Sequence, residues 1–111
     1  MDRSSVREWI GQPYTGQHGC LAFVRDVYSS EFGRDFDSPE SFYQFLLDYG
    51  VQVSEPRSGD FVLFQSDVLH IGYMVSQTQF LHCYENGASI VSDIDRPDYQ
   101  STLIGFYRVY T

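Results

Sequence analysis

The stretch Gly59-Asp60-Phe61-Val62-Leu63-Phe64 marks the point where the pattern of the chain changes from helix to strand. Its four consecutive apolar residues, bounded by polar ones, are typical of a buried strand. Because Asp60 directly follows Gly59, we expect it to serve a turn. The alternative is that Asp60 and Asp67 form a pair of functional carboxylates.

Downstream of this stretch the chain continues as strands. Asn86-Gly87 is a strong hairpin turn signal, and a short polar link at 76–78 separates two apolar runs. The predicted strands are Val68 to Val75, Gln79 to Tyr84, Ser89 to Val91 and Leu103 to Tyr110.

Upstream, the apolar residues recur at helical spacing. A short helix is predicted with Ser5 and Glu8 as its capping box, stopping at Gly11, and Trp9 and Ile10 would be buried. A helix starting at Cys20 and ending near Gly33 would bury one face, made of Cys20, Phe23, Val24, Val27 and Tyr28.

A further helix is predicted to begin at Ser38 as N-cap, with Pro39 in its first turn, and to close at Gly50. Its apolar face would contain Phe42, Phe45, Leu46 and Tyr49. Helices therefore come first and antiparallel strands follow, which is an α+β arrangement. The 111 residues fit one domain, 1–111, and the apolar share of 42% is enough for a packed core.

The chain is acidic, with a net charge of −8, and every basic residue is an arginine. This balance disfavours nucleic acid and anionic membranes as partners. Residues 1–10 have no apolar run, so we expect no signal peptide and synthesis in a cytoplasm. Two cysteines cannot make a disulfide framework, and in a reducing compartment both are expected to be thiols.

Cys20 follows a glycine-rich loop at the start of a predicted helix. The N–H groups and dipole of a helix N-terminus favour a thiolate and can hold an oxyanion. The sequence therefore makes Cys20 a candidate nucleophile. Packing as a small apolar core residue remains the alternative.

The candidate base for this thiol is His70 or another of the three histidines. A hairpin centred on Ser76 would make His70 and His82 direct cross-strand partners on one face, provided that its loop has an odd number of residues. His82 could then fix the tautomer of His70, although two unrelated histidines are the alternative. We place His18 in the loop near the mouth of the site.

No cofactor or metal is expected. Cys20, His70, His82 and Cys83 could be imagined as zinc ligands, but the spacing lacks a metal knuckle, and the adjacent His82 and Cys83 point to opposite faces of a strand. We expect Cys83 to point into the core.

Four blocks of this sequence resemble, in order, the motifs of the NlpC/P60 cysteine peptidases. The family's motifs are Gly-x-Pro-Tyr, Asp-Cys-x-Gly-Phe-Val, Pro-Gly-Asp-Leu-Val-Phe-Phe, and the pair His-Val-Gly-Ile-Tyr and Phe-Ile-His-Ala. The matching blocks are Gly11-Gln12-Pro13-Tyr14, Cys20-Leu21-Ala22-Phe23-Val24, Pro56 to Phe64, and His70-Ile71-Gly72-Tyr73 with Phe80-Leu81-His82-Cys83.

The resemblance implies a papain-like NlpC/P60 fold, with N-terminal helices packed on a central antiparallel sheet or half-barrel. It implies a cysteine endopeptidase that cleaves stem peptides of bacterial peptidoglycan through a thioester. Cys20 would be the nucleophile, His70 the base and His82 the orienting residue. Tyr14 would lie near the thiolate and contact the transition state or the substrate, and we add His18 to the substrate-binding residues. Gly19 stands where the family usually has Asp.

Standalone domains of this type occur in phage tails, so we expect a virion tail component with tail or baseplate hub proteins as partners. A silent structural tail protein of the same fold, an injected interbacterial toxin and an acyltransferase are the alternatives. Intact Cys20, His70 and His82 favour the enzyme, whereas Gly19 keeps the silent protein open.

Overall fold

The structure is a computed structural model that describes residues 1–14, 19–83 and 87–110. His18, which the sequence places near the mouth of the site, and Asn86 of the predicted hairpin turn lie outside these residues. In chain order the elements are α1 (Arg3–Trp9), α2 (Gly19–Phe32), α3 (Pro39–Tyr49), β1 (Gly50–Val53), β2 (Phe61–Gln65), β3 (Leu69–Met74), β4 (Gln79–Cys83), β5 (Ser89–Asp93), α4 (Pro97–Gln100) and β6 (Leu103–Val109).

Within the described ranges, six strands form one antiparallel sheet in the order β1-β6-β2-β3-β4-β5. The sheet is open rather than closed into a barrel, and α2 packs against β3 and β4. The predicted α+β class, with N-terminal helices on an antiparallel sheet, is confirmed. The sequence missed β1, whose middle residues are exposed, and the four-residue α4.

The core lies on both faces of the sheet. Phe61 and Leu63 of β2 join the helices in the helix-side cluster, which also holds Phe23, Val27, Phe42, Ile71, Leu81 and Cys83. Val62 and Phe64 alternate with them and belong to the far-side cluster, against which Tyr99 of α4 packs. Because both faces are covered, all four apolar residues of β2 are buried, as the continuous apolar run predicts.

The long helices start and stop largely where the sequence predicts. Ser38 and Ser41 exchange side-chain hydrogen bonds with each other's backbone N–H at the start of α3, and Pro39 occupies its first turn. Gly33 ends α2 with φ of 67°, a left-handed conformation that suits glycine. The predicted buried faces hold, except that Cys20 is only half-buried and that Tyr49 is 60% exposed because the chain turns there into β1.

The start of α1 differs from the prediction. Asp2 is the N-cap and accepts a hydrogen bond from Ser5 N at 2.9 Å, so the Ser5–Glu8 capping box is wrong. Trp9 packs edge-on against Phe23 with ring centroids 5.8 Å apart. Ile10 is 46% exposed rather than buried, because the helix has ended and the backbone is extended there.

The segment after α1 lies along β5. Gly11 N donates to Ser89 O at 2.9 Å, Ser89 N donates to Gln12 O at 3.0 Å, and Pro13 makes an isolated bridge with Ala88. The Ser89 hydroxyl also donates to Trp9 O and accepts from Gln12 N. The residues that precede Tyr14 are therefore fixed to the sheet by main-chain hydrogen bonds.

Candidate active site

His70 and His82 lie side by side on β3 and β4. Their rings are nearly perpendicular, with His70 Nε2 2.9 Å from His82 Nδ1. The two histidines therefore share one face of the sheet, as the predicted odd-length loop requires.

The register of this hairpin differs from the one predicted. Tyr73 pairs with Leu81 and Met74 with Phe80, so the hairpin is centred on Gln77 rather than Ser76. Ser76 fixes this turn, because its hydroxyl accepts from Gln79 N at 3.1 Å. His70 and His82 are consequently diagonal neighbours, not direct partners, and their rings still meet because diagonal side chains lie within reach.

Aromatic rings hold the two histidines in place. Phe64 pairs with His70 across β2 and β3, with ring centroids 6.0 Å apart, and Phe80 lies against His82 at 4.4 Å. Phe80 can cross β3 only because residue 72 is glycine: a Cβ there would lie 2.5 Å from the Phe80 ring. His82 is 1% exposed as a result.

A second partner of His82 lies on β5. Its Nε2 is 2.8 Å from the hydroxyl oxygen of Ser92, and the Tyr99 hydroxyl donates to that same oxygen at 3.4 Å. The sequence missed Ser92 and Tyr99. The available signal was the burial of a histidine, whose second ring nitrogen needs a partner.

Burial controls the charge of this pair. It lowers the pKa of His70, and it lowers the pKa of His82 to about 3, with smaller contributions from the charges of His70 and Arg96. Both rings are therefore neutral at neutral pH. A neutral His70 can accept a proton, which a base requires.

Cys20 is the second residue of α2 and is half-buried. It packs against the helix-side cluster, which contains Ile71 and Cys83, each the chain neighbour of one of the two histidines. The predicted helix N-terminus is thus confirmed, and α2 meets the sheet at the strands that carry His70 and His82. The first N–H groups of α2 have no acceptor within the helix.

Cys83 lies on the opposite face of β4 from His82 and is 1% exposed, so its predicted core position is confirmed. Its thiol donates to Tyr14 O at 3.3 Å, and burial raises its pKa. A side chain at position 19 would press on the same carbonyl, since a Cβ would lie 3.1 Å from Tyr14 O. This close approach favours glycine at position 19 of this chain.

The Tyr14 side chain lies along α2. Its ring packs edge-on against Phe23, and its hydroxyl donates to Asp26 Oδ2 at 2.5 Å. Burial and this contact raise the pKa of Tyr14, so it stays a neutral donor. The substrate role assigned to Tyr14 stays a prediction, and Asp26 is a partner that the sequence did not reveal.

Asp60 has a structural role. It closes a turn with Arg57, whose N donates to Asp60 Oδ2 at 2.9 Å, so the predicted turn role is confirmed. Two nitrogens of Arg108 also bind its carboxylate at 2.8 and 2.7 Å. Across the described part of the chain, no group of three or more His, Cys, Asp or Glu is placed to hold a metal ion, and none of the helices could cross a membrane.

The sequence pattern of the NlpC/P60 family matches residues 8–108. The chain belongs to the NlpC/P60 family. Among solved structures, a protein of Staphylococcus aureus subsp. aureus Mu50 described as similar to lipoprotein, NLP/P60 family, superposes on the whole of this NlpC/P60 domain with a TM-score of 0.69, 20% identity and 43% of that chain covered. This likeness shows that the chain has the NlpC/P60 fold.

Two curated relatives are more similar in sequence. Murein DD-endopeptidase MepS/Murein LD-carboxypeptidase of Escherichia coli K12 is 30% identical over 99 residues, which are 86% of this chain and 52% of the relative. The probable endopeptidase NlpC homolog of Haemophilus influenzae is 29% identical over 113 residues, covering 96% of this chain and 60% of the relative. The NlpC/P60 chain spans little more than half the length of these relatives.

Proposed function

We propose that this domain is a cysteine endopeptidase that cleaves peptide bonds in peptidoglycan stem peptides, with Cys20 as nucleophile, His70 as base and His82 as the residue that orients the base. Membership of the family supports the peptidase class. The names of the Escherichia coli and Haemophilus influenzae relatives support an endopeptidase, and the former supports murein as the substrate.

The observation that carries this proposal is the contact between His70 Nε2 and His82 Nδ1. When His82 accepts a hydrogen bond at Nδ1, the proton of neutral His70 resides on Nε2. The lone pair of His70 then lies on Nδ1, the atom that would take a proton from a thiol. His82 thereby performs the orienting role of the third member of a triad.

The reaction would proceed by acyl transfer. His70 Nδ1 takes the thiol proton of Cys20, and the sulfur attacks the carbonyl carbon of the scissile peptide bond. The resulting oxyanion accepts hydrogen bonds from N–H groups of the first turn of α2. His70 then protonates the leaving amine, the C–N bond breaks, and a thioester remains.

Water completes the cycle. His70 removes a proton from a water molecule, whose oxygen attacks the thioester carbonyl. The C–S bond breaks, the new carboxyl group leaves with the released stem peptide, and the proton returns to the sulfur of Cys20.

Digestion of purified sacculi tests this proposal. Wild-type protein should release new muropeptides, whereas Cys20→Ala and His70→Gln should reduce the rate about 10⁴-fold or more, and His82→Ala by less. Ser30→Ala, an exposed change on the same helix, is the matched control and should digest like wild type. Equal muropeptide profiles for wild type and Cys20→Ala would refute the proposal.

The same assay tests the proposed substrate-binding residues. Tyr14→Phe and His18→Ala should raise KM more than they lower kcat, because they would remove contacts made equally in the bound substrate and the transition state. An unchanged KM in both variants would remove these two residues from the site.

We also propose a phage tail as the carrier of the domain and tail hub proteins as its partners, which would place the protein in the virion after synthesis in the host cytoplasm. The support for this proposal is the resemblance to NlpC/P60 domains of phage tails. Mass spectrometry of purified virions would detect the protein in the tail fraction. Absence from virions would favour the injected toxin, and inactivity of assembled virions would favour the silent structural protein.

A further inference from the structure

Ser92 is the buried polar residue that completes the surroundings of His82. It lies on β5 opposite Phe80 of β4, and it is 6% exposed. Its hydroxyl oxygen is 2.8 Å from His82 Nε2 and receives the Tyr99 hydroxyl at 3.4 Å. A chain of side chains therefore runs from His70 through His82 and Ser92 to Tyr99.

The ring of His82 is held tightly enough for this contact to matter. Phe80 lies against it at 4.4 Å, and Tyr99 stands perpendicular to it at 5.7 Å. The charged or titratable groups of the described residues that face it are His70 on β3, Tyr99 on α4 and Arg96 at the start of α4. With both ring nitrogens engaged, the protonation of one nitrogen determines what the other can do.

Two neutral proton arrangements are compatible with the distances. In the first, His82 donates from Nε2 to Ser92 and accepts at Nδ1 from His70, which leaves the lone pair of His70 on Nδ1. In the second, His82 donates from Nδ1 to His70 Nε2, and the proton of His70 is then on Nδ1. The second arrangement gives a His70 that cannot take a proton from a thiol at Nδ1.

Proton transfer to His70 leaves only one possible arrangement of the protons on His82. A protonated His70 donates from both nitrogens, so His82 must accept at Nδ1 and must donate from Nε2. The acceptor for that donor is the Ser92 oxygen, which has two lone pairs and can accept from His82 and Tyr99 together. Without it, the buried His82 N–H would lose this hydrogen bond in the charged intermediate.

We propose that Ser92 is a positioning residue for the reaction: once His70 is protonated, the Ser92 oxygen accepts from His82 Nε2, so that His82 can keep Nδ1 as the acceptor for His70. This inference rests on the proposed function for its effect on catalysis. The protonation of the histidine pair is a property of the folded protein and can be measured without a substrate.

The test compares Ser92→Ala with two matched variants. Ser92→Thr keeps the hydroxyl, and Ser89→Ala removes a buried hydroxyl from the same strand that contacts Trp9 and Gln12 rather than a histidine. Nitrogen-15 NMR of labelled histidine side chains reports the tautomers, with His70→Gln and His82→Gln used to assign the signals. The same variants are assayed for kcat and KM on sacculus-derived peptides.

In spectra recorded as a function of pH, wild type should show His82 protonated at Nε2 alone when His70 is protonated. Ser92→Ala should lower by about one unit the pH at which His70 becomes protonated, and should lower kcat about tenfold, the effect of one hydrogen bond, with KM unchanged. Ser92→Thr should restore both properties, and Ser89→Ala should leave the titration of His70 as in wild type.

An unchanged titration of His70 in Ser92→Ala, or an equal shift in Ser89→Ala, would overturn the proposal. An inactive wild type with the expected shift in the titration of His70 would refute the endopeptidase activity and leave the effect of Ser92 on the histidine pair established. An active wild type whose Ser92→Ala variant shows the wild-type titration of His70 would support the endopeptidase and refute the role of Ser92.

Discussion

At the scale of single residues, the burial of His82 affects both its proposed orienting role and the stability of the fold. The ring is held neutral, with a pKa of about 3 against 6.5 for an exposed histidine. In the unfolded chain the same ring takes up a proton near pH 6.5. The unfolded state therefore binds more protons between these values, and stability must fall as the pH falls through this range.

This linkage predicts the pH dependence of unfolding. From pH 7 to pH 5, His82 should remove about 2 kcal/mol from the free energy of unfolding, because protonation stabilises the unfolded chain. Urea denaturation at the two pH values measures the loss. His82→Gln, which cannot titrate, should lose less over the same range, and equal losses in both proteins would contradict the lowered pKa.

At the scale of elements, an ion pair fastens β6 to the start of β2. Asp60 is 1% exposed and accepts two hydrogen bonds from Arg108, while Arg57 N caps the same carboxylate. A buried carboxylate that loses its cation remains desolvated without compensation. Removal of one partner of this ion pair is therefore expected to lower the free energy of unfolding strongly.

Arg108→Ala should lower Tm by on the order of 10 °C, because it leaves the Asp60 carboxylate buried without its cation. Thermal unfolding followed by circular dichroism measures the change. Arg96→Ala is the control: Arg96 pairs with Asp98 on the surface at 3.4 Å, and loss of an exposed pair has little effect on stability. Similar losses in the two variants would show that the Asp60 pair has no special role.

The elements also show what the sequence can and cannot predict. Local signals were sufficient for α3, where Ser38 and Pro39 start the helix, and for β2, where an apolar run meets two covered faces. They failed for β1, because its exposed Val51 and Gln52 carry no apolar pattern and the strand forms by pairing with β6. Pairing is non-local, so no short stretch reveals it.

The candidate site was likewise predictable from local sequence signals only in part. Strand alternation was enough to place His70 and His82 on one face, and the helix pattern was enough to put Cys20 at an N-terminus. The diagonal register depends on the turn that Ser76 fixes, and the partnership of Ser92 depends on how β4 pairs with β5. Both depend on pairings that only the folded sheet defines.

At the scale of the whole molecule, the helices and the sheet share one helix-side cluster, so we predict that residues 1–111 unfold as a single cooperative unit. Trp9, the one tryptophan of the sequence, packs on Phe23 and reports on the N-terminal helix. Its fluorescence and the far-ultraviolet circular dichroism should change at the same urea concentration. Separate midpoints would indicate that α1 detaches before the sheet unfolds.

The contact of residues 11–13 with β5 has a consequence for the behaviour of the protein at high concentration. An open sheet ends in strands whose main-chain groups can recruit a strand from another molecule. Gly11 and Gln12 already form hydrogen bonds with the main-chain groups of Ser89. Pro13, which bridges to Ala88, has no N–H and cannot donate a hydrogen bond to a further strand. The segment that leads to Tyr14 thus also shields this edge, and removing it would expose a template for intermolecular aggregation.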